Sequence, residues 1–199
     1  HGKACRRAIA MRASPRALAA SALPRALLTP GDSGDALTRE PLIAGVRMFY
    51  GPGAGLEGVD AGLIGGARRS IDMAAYVLTN RVIINALRDA ARRGVRIRLY
   101  LDPDQRRGRD ADPMSALALL FAEPNVEARY KAQSDDMMHL KAYQVDGRLL
   151  RTGSTNFSYS GARRQDNDIV VLESSRAAGM FLAAFETLWA RPDNERMRP

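Results

Sequence analysis

The sequence is poor in the residues from which most thiol and metal sites are built. It contains one cysteine, Cys5, and two histidines, His1 and His139, in 199 residues. One cysteine cannot form an intrachain disulfide, and it cannot build a cysteine-rich zinc site. Because His1 is the terminal residue, chemistry that needs an internal imidazole has one candidate in each chain.

Long apolar runs and lysines are also scarce. No stretch of the sequence approaches the roughly 18 consecutive apolar residues of a membrane-spanning helix, so none is predicted. Lysine occurs three times, at Lys3, Lys131 and Lys141, among 30 basic residues. The remaining composition, 46% hydrophobic and 26% charged, is typical of a globular domain with a hydrophobic core.

The net charge of +8 is divided between two regions of different composition. Residues 1–40 hold seven basic and three acidic residues, and residues 41–199 hold 23 and 19. We expect residues 1–40 to form a basic arm rich in Ala and Arg, either disordered or a targeting segment. Residues 41–191 are expected to form the folded domain, followed by a tail over 192–199. The charge permits a polyanionic partner, nucleic acid or an anionic lipid surface, and leaves the cellular compartment open.

Helical and strand-like patterns alternate from residue 46 onward and predict an α/β domain, a mixed β-sheet flanked by helices. Asp146-Gly147 between two alternating runs predicts a hairpin. Gly53, Gly55 and Gly58 match the dinucleotide-binding spacing, but no acidic residue ends a strand where a ribose would need one, so we interpret them as a loop. The predicted strands cover 46–50, 70–78, 95–101, 126–130, 139–145, 148–152 and 168–172, and the predicted helices cover 60–68, 81–93, 114–121 and 175–190.

The residues around this hairpin could bring four polar groups together. His139 and Lys141 are two apart and so share a strand face, and Ser154 and Asn156 follow the returning strand with the same spacing. An imidazole, an ammonium, a hydroxyl and an amide suit a phosphodiester, because they supply a nucleophile or proton carrier, positive charge and fixed donors. The alternative is ordinary structure: a hydrogen-bonded histidine beside a loop of small polar residues.

The spacing resembles the HKD motif of the phospholipase D superfamily, in particular its small single-motif endonuclease type. His139, Lys141 and Asp146 fit H-x-K-x-x-x-x-D, and residues 153–156 fit G-S-x-N. The resemblance covers about residues 44–190, with further similar segments at 46–53, 70–79, 92–102 and 153–158. It implies a phospholipase D-like fold.

The resemblance also implies a reaction, phosphodiester hydrolysis through a phosphohistidine without a metal or other cofactor. One histidine attacks phosphorus and a second carries the proton of the leaving oxygen. Because each chain has a single internal histidine, we expect a homodimer with one shared active site. For Asp146 a structural role in the turn is the alternative to a catalytic one. The implied catalytic residues are His139, Lys141, Asp146, Ser154 and Asn156.

One position departs from the family pattern. Members usually carry a glutamate that orients the catalytic histidine, and here that position falls near Asn167. Asp166, Asn167 and Asp168 are therefore the candidates for the orienting group. Arg163 and Arg164 lie closest in sequence to the site and are the expected substrate contacts.

The substrate class is not decided by the motif. Chain size and a single motif favour an endonuclease acting on DNA or RNA. A phospholipase D or cardiolipin hydrolase would need an exposed apolar rim, for which Met137 and Met138 beside His139 are the one indication. A homologue that binds nucleic acid without cleaving it is the third hypothesis.

Overall fold

The computed structural model describes residues 45–107, 115–134 and 136–197, and within them the chain forms one mixed sheet of eight strands. The strand order across the sheet is β1-β7-β6-β5-β2-β3-β4-β8. This confirms the predicted fold class. The strands are β1 (Val46–Tyr50), β2 (Ser70–Ala75), β3 (Arg96–Leu101), β4 (Val126–Tyr130), β5 (Lys141–Val145), β6 (Leu149–Thr152), β7 (Asp168–Glu173) and β8 (Glu195–Arg196).

The direction of the strands divides the sheet into two parts. β2, β3 and β4 run parallel to one another, whereas β5, β6, β7 and β1 are joined to β2 and to each other by antiparallel pairing. The predicted hairpin joins β5 to β6, and both of its turn residues, Asp146 and Gly147, have positive φ angles. Such turns match the twist of antiparallel strands, which explains the Asp-Gly sequence.

Five α-helices lie among the described residues, together with a short 3-10 helix over Pro103–Arg107. The α-helices are α1 (Leu56–Gly65), α2 (Arg81–Arg92), α3 (Ala116–Phe121), α4 (Tyr159–Arg163) and α5 (Ser175–Trp189). Ile71 and Met73 of β2 belong to the larger hydrophobic cluster, with residues of α1, α2 and α3. Ala74, which points to the other face, packs in a smaller cluster with Phe185 and Trp189 of α5. Helices therefore cover both faces of the central strands. None of these described helices is long and apolar enough to cross a membrane.

Polar side chains attach α5 to its face of the sheet. Buried Arg98 of β3 donates from Nε to Asp72 Oδ1 of β2 at 2.5 Å and from Nη2 to Glu186 Oε1 of α5 at 2.5 Å. The Trp189 ring contacts two guanidinium groups, those of Arg98 at 5.3 Å and Arg129 at 4.3 Å from the ring centroid. Charge and ring stacking together fix the end of α5.

Several element boundaries differ from the sequence prediction. α1 begins at Leu56, four residues before the predicted start, because Gly55 takes the left-handed conformation and ends the preceding loop there. β2 stops at Ala75, and β5 begins at Lys141, so His139 precedes the strand. The prediction also missed α4, whose N-cap is Ser158.

The structure bears on the prediction for the C-terminal tail but not on the prediction for the N-terminal arm. β8 falls in the segment expected as a tail, and it extends the sheet by pairing with β4, Arg196 opposite Arg129. A two-residue strand has too few positions to show an alternating pattern in the sequence. The basic arm predicted for residues 1–40 lies outside the described residues.

Candidate active site

Sheet register brings four of the five predicted catalytic residues, His139, Lys141, Ser154 and Asn156, to one edge. Tyr143 of β5 pairs with Arg151 of β6, so the start of β5 lies beside the end of β6. Lys141 pairs with Ala75, the last residue of β2, and the next amide, Tyr76 N, donates to Leu140 O at 2.9 Å. His139, Tyr76 and the loop after β6 therefore meet at the same end of the sheet.

His139 is held by its backbone while its ring stays exposed. The preceding amide, Met138 N, donates to Oδ2 of buried Asp102 at 2.8 Å, and the Met138 side chain is buried against α5. The imidazole lies against the ring of Tyr76, with centroids 4.7 Å apart and planes tilted by 60°. Both ring nitrogens of His139 are free of hydrogen bonds to other described residues, so they are available to an incoming group.

The Lys141 ammonium lies in a largely apolar setting. Lys141 is buried, its Nζ donates to the His139 carbonyl oxygen at 2.7 Å, and it lies 4.9 Å from the centroid of the Tyr76 ring. Burial lowers the pKa of this ammonium from its ordinary value. In the described part of the chain no carboxylate forms an ion pair with it. A desolvated cation without a carboxylate partner attracts an anion strongly.

Ser154 is engaged with Asp168 rather than free. Its hydroxyl donates to Asp168 Oδ1 at 2.5 Å and accepts from Asp168 N at 2.9 Å. Thr155 Oγ1 donates to the Asp168 carbonyl oxygen at 2.7 Å. These bonds fix the loop that follows β6 against the first residue of β7.

Asn156 presents a polar atom that the fold leaves unsatisfied. Its Oδ1 is buried without a hydrogen-bond partner among the described residues. A buried acceptor without a partner costs stability, so the residue is not explained by folding alone. Its backbone carbonyl does contribute to the loop, accepting from Ser158 N at 2.8 Å.

None of the three orienting candidates hydrogen-bonds to His139 within the described residues. Asp168 is bonded to Ser154. Asn167 Nδ2 donates to the Gly161 carbonyl at 3.0 Å and to Gln165 Oε1 at 3.2 Å. Asp166 is exposed. The orienting role predicted for Asp166, Asn167 or Asp168 therefore rests on the family pattern alone.

The two expected substrate-binding arginines differ in their surroundings. Arg163 Nε donates to buried Glu57 Oε1 of α1, although about half of the Arg163 side chain remains exposed. The Arg164 guanidinium stacks on Tyr159, 5.4 Å from the ring centroid, and both residues are exposed. Arg164 is the freer of the two for contact with an anion.

Asp146 lies at the opposite end of β5 from Lys141. Its carboxylate accepts from the amides of Arg68, Arg69 and Ser70, at 3.0, 2.7 and 3.0 Å. Burial by itself raises the pKa of this carboxyl, but the three backbone donors together with the Arg148 charge outweigh burial and hold the pKa below its ordinary value. These contacts agree with the alternative of a structural role for Asp146, in which its carboxylate joins the hairpin turn to the start of β2.

A buried network under the site was missed by the sequence prediction. Arg151 forms a bidentate ion pair with Asp60 of α1, and Tyr143 O–H donates to Asp60 Oδ1 at 2.8 Å. Tyr143 is fully buried and belongs to the hydrophobic core. The sequence did contain a signal for this network. Arg151 is two residues from Leu149 in β6, so both side chains point to the same buried face of the sheet.

Tyr76 and Asp102 also belong to the surroundings of His139. Both follow directly after parallel strands, β2 and β3, whose carboxyl ends meet at this edge. Loop residues at that edge are frequent site residues in α/β folds, which is the signal that could have found them. Within the described residues no group of three or more His, Cys, Asp or Glu side chains could hold a metal ion.

Comparison with known proteins agrees with the predicted superfamily and fold. Residues 61–189 match the family model described as cardiolipin synthase, PLD-like domain. Among curated proteins, the mitochondrial cardiolipin hydrolase of Chlamydomonas reinhardtii is 27% identical over 128 residues, covering 63% of this chain and 54% of that protein. The phospholipase D of Rickettsia conorii is 28% identical over 142 residues, covering 69% of this chain and 66% of that one. This chain thus matches between about half and two thirds of the length of these relatives.

Solved structures show the same architecture. Nuc from Salmonella typhimurium, a phospholipase D family member, superposes with a TM-score of 0.68 at 25% identity, covering 78% of this chain and 99% of Nuc. NucT from Helicobacter pylori has a TM-score of 0.65 at 18% identity, covering 73% of this chain and 95% of NucT, which shows the fold alone. With the family model matched over most of the folded part, this chain belongs to the PLD-like domain family of the phospholipase D superfamily.

Proposed function

We propose that this protein hydrolyses phosphodiester bonds through a covalent phosphohistidine. The observation that carries the proposal is the pairing of an exposed imidazole, His139, with the desolvated ammonium of Lys141 and no carboxylate partner in the described residues. An anionic phosphate would give that ammonium its missing counter-charge, and it would bring phosphorus next to the ring nitrogens of His139.

In the proposed first step, a nitrogen of one His139 attacks phosphorus and the bond from phosphorus to the leaving oxygen breaks. A second imidazole donates its proton to that oxygen. In the second step this imidazole takes a proton from water, whose oxygen attacks phosphorus, and the bond between phosphorus and His139 breaks. Lys141 and Asn156 are proposed to contact the non-bridging oxygens, where negative charge accumulates.

The second imidazole is proposed to come from another copy of the chain. The sequence has one internal histidine, and the His139 ring is exposed at the edge of the sheet rather than enclosed. A two-fold contact between identical surfaces would bring two copies of His139 to one phosphate. The functional unit would then be a homodimer with a single site.

Nucleic acid is the proposed substrate, DNA or RNA. Directly after the Ser154–Asn156 loop, Tyr159 is 60% exposed and the guanidinium of Arg164 stacks on its ring. An exposed aromatic ring beside an arginine can stack a base and contact its phosphate. The net charge of +8 supports association with a polyanion.

Phospholipid is the second candidate, because apolar side chains flank the catalytic histidine. Met137 is 59% exposed and Leu140 is 44% exposed, whereas Met138 between them is buried. Exposed apolar groups beside a cationic site could enter a lipid surface. The curated relatives named as cardiolipin hydrolases support this candidate.

A substrate panel tests the proposal. Plasmid DNA, single-stranded DNA, RNA, and vesicles of cardiolipin or phosphatidylcholine are each incubated with the protein, with and without EDTA. We expect cleavage of nucleic acid that survives EDTA and is lost in His139→Asn. Headgroup release from the vesicles without nucleic-acid cleavage would replace the first candidate by the second. Salt-sensitive binding of nucleic acid with no cleavage of any substrate would contradict the enzymatic proposal and favour a non-catalytic binding homologue.

The covalent intermediate has its own test. The reaction with an oligonucleotide that carries radioactive phosphorus at every internucleotide phosphate is quenched in alkali, in which phosphohistidine survives, and the protein is separated under denaturing conditions. Label should stay on the wild type and be absent from His139→Asn. Cleavage of the oligonucleotide by the wild type without any labelled protein would contradict the two-step mechanism.

A further inference from the structure

Directly beneath the active-site edge, the side chains of Arg151 and Asp60 form an ion pair that is closed to solvent. Both side chains are fully buried. The guanidinium donates from Nε to Asp60 Oδ1 and from Nη2 to Asp60 Oδ2, each at 2.8 Å. The parallel bonds fix the plane of the guanidinium relative to α1, which carries Asp60.

The remaining nitrogen of this guanidinium contacts both segments that carry site residues. Arg151 Nη1 donates to the carbonyl oxygen of Lys141 at 2.9 Å and to that of Thr155 at 3.4 Å. Thr155 lies between Ser154 and Asn156. One planar group therefore joins the residue that supplies the ammonium to the loop that supplies the hydroxyl and the amide.

The surroundings of the pair leave the guanidinium little freedom. Its central carbon lies 4.6 Å from the centroid of the Phe157 ring, and Phe157 follows Asn156 in the same loop. Tyr143 O–H, also fully buried, donates to Asp60 Oδ1. Burial and the nearby Asp60 charge raise the pKa of Tyr143 well above its ordinary value, so this hydroxyl remains a donor.

A contribution to stability does not account for this arrangement. Removing two charges from water costs about as much as their attraction returns, and apolar side chains of similar size often serve stability equally well. What the ion pair adds is direction, because a guanidinium presents its donors in a rigid fork.

We propose that Arg151 is a positioning residue of the active site, which holds Lys141 and the Ser154–Asn156 loop at the separation that a phosphate requires. Asp60 sets the orientation of its guanidinium. The inference rests on the proposed phosphodiesterase function, because it assigns Arg151 to that same site.

Arg151→Lys tests the inference, since lysine keeps the charge beside Asp60 and loses the fork. With bis(4-nitrophenyl) phosphate as substrate, we expect kcat to fall by about tenfold or more, because small displacements of reacting groups are costly. KM should change by no more than about threefold, since Arg151 does not touch the substrate. Asp60→Asn, which keeps the volume and one acceptor oxygen, should lower kcat in the same direction and is the second variant if Arg151→Lys does not fold.

The chain offers a matched control on the opposite face of the sheet. Arg98 is also a buried arginine paired with an aspartate, Asp72, and it bonds to α5 rather than to the site. Arg98→Lys should lower the unfolding temperature and leave kcat unchanged. If Arg151→Lys lowers only the unfolding temperature, or if Arg98→Lys lowers kcat to the same extent, the positioning role is refuted.

A second measurement does not depend on turnover. The sequence contains three lysines, so a spectrum of protein labelled with carbon-13 at lysine Cε is simple, and Lys141→Arg assigns the Lys141 signal. Arg151→Lys and Arg98→Lys each add a fourth lysine signal, so in each variant the Lys141 signal is assigned by adding Lys141→Arg. In Arg151→Lys the titration of Lys141 should move toward that of an ordinary lysine, and in Arg98→Lys it should stay as in the wild type. An unmoved Lys141 titration in Arg151→Lys would overturn the inference. Failure of the wild type to cleave any phosphodiester would instead overturn the proposed function and leave this readout intact.

Discussion

Lys141 carries its charge in surroundings that favour its neutral form. Burial lowers its pKa below the ordinary lysine value of about 10.4. The protonated form is the one that can contact phosphate oxygens, so activity should be lost as the pH rises through this lowered pKa. That loss should begin at a lower pH than a solvated lysine would give.

Lys141→Arg tests this pH dependence, because a guanidinium keeps its charge throughout the accessible range. We expect the alkaline limb of the kcat/KM profile for bis(4-nitrophenyl) phosphate to move to higher pH. At neutral pH kcat/KM should fall by about tenfold or more, since the bulkier group cannot occupy the same position. Lys131→Arg is the control and should leave the limb in place. An alkaline limb that does not move in Lys141→Arg would assign the titration to another group.

Asp146 is expected to act on stability rather than on catalysis. Asp146→Asn keeps a residue that tolerates positive φ and removes the charge that three amides bond to. We expect a loss of about 1–2 kcal/mol in the free energy of unfolding at neutral pH, with kcat within about twofold of wild type. Urea unfolding and a phosphodiesterase assay measure the two quantities.

The pH dependence of this loss of stability follows from the direction in which folding shifts the pKa of Asp146. The pKa of Asp146 is lowered in the folded protein, so its stabilisation is present above the pKa of the unfolded chain, about 3.9, and is lost as the pH falls through the lower folded value. The difference between wild type and Asp146→Asn should therefore shrink on acidification. Loss of turnover in Asp146→Asn with unchanged stability would return Asp146 to the catalytic residues.

At the scale of elements, the junction between β6 and β7 places the loop that carries Ser154. Gly153 has a φ of +140°, and a Cβ atom there would lie 2.4 Å from the carbonyl oxygen of Asp168. Gly153→Ala must push the end of β6 away from β7, because the obstacle is backbone. We expect a loss of about 2 kcal/mol or more in the free energy of unfolding, together with reduced activity.

A glycine in the neighbouring turn provides the comparison. Gly147 also has a positive φ, +69°, but a Cβ there would meet nothing within 4 Å. Gly147→Ala should cost only the backbone strain, about 1 kcal/mol, and should leave activity unchanged. Equal losses in stability and activity for the two variants would mean that the contact with Asp168 does not determine the position of the loop.

The sequence predicts the elements that have a clear period and misses those that depend on distant contacts. The alternation in β3 and the helical spacing of α2 predict both elements within one residue at each end. α4 and β8 are too short to show a period. β5 begins after His139 because the pairing with β2 starts at Lys141, and register between distant strands cannot be read from one of them.

For the site, the spacing of His139, Lys141, Ser154 and Asn156 predicts that these four residues come together, but it does not predict what else they bind. Register places His139, Lys141 and the loop after β6 at one sheet edge, as their spacing predicted. The hydrogen bond from Ser154 to Asp168 and the ion pair between Asp60 and Arg151 join residues far apart in sequence. Such partners are fixed by tertiary packing, and local pattern carries little information about them.

At the scale of the whole molecule, the proposed shared site would make activity depend on two copies of the chain. Wild-type and His139→Asn chains are mixed and refolded together so that they form mixed dimers. We expect the activity of these mixtures to be proportional to the square of the wild-type fraction. A dimer with one histidine cannot complete both proton transfers, so only wild-type pairs contribute. The rate of bis(4-nitrophenyl) phosphate hydrolysis is measured across the mixing series, with sedimentation velocity on the same samples.

A linear dependence on the wild-type fraction would show that each chain works alone. A monomer in sedimentation velocity with full activity would contradict the homodimer in the same way. Lys131→Arg chains mixed with wild type are the control, and their mixtures should show no loss.

The contact of Trp189 with two guanidinium groups has a practical consequence. Because the chain has one tryptophan, its fluorescence reports a single place, where the end of α5 meets β3 and β4. Detachment of this helix would release the indole from both cations and change its emission, whether or not the rest of the sheet has melted. Intrinsic fluorescence followed beside far-ultraviolet circular dichroism would then separate local opening from global unfolding without an added label.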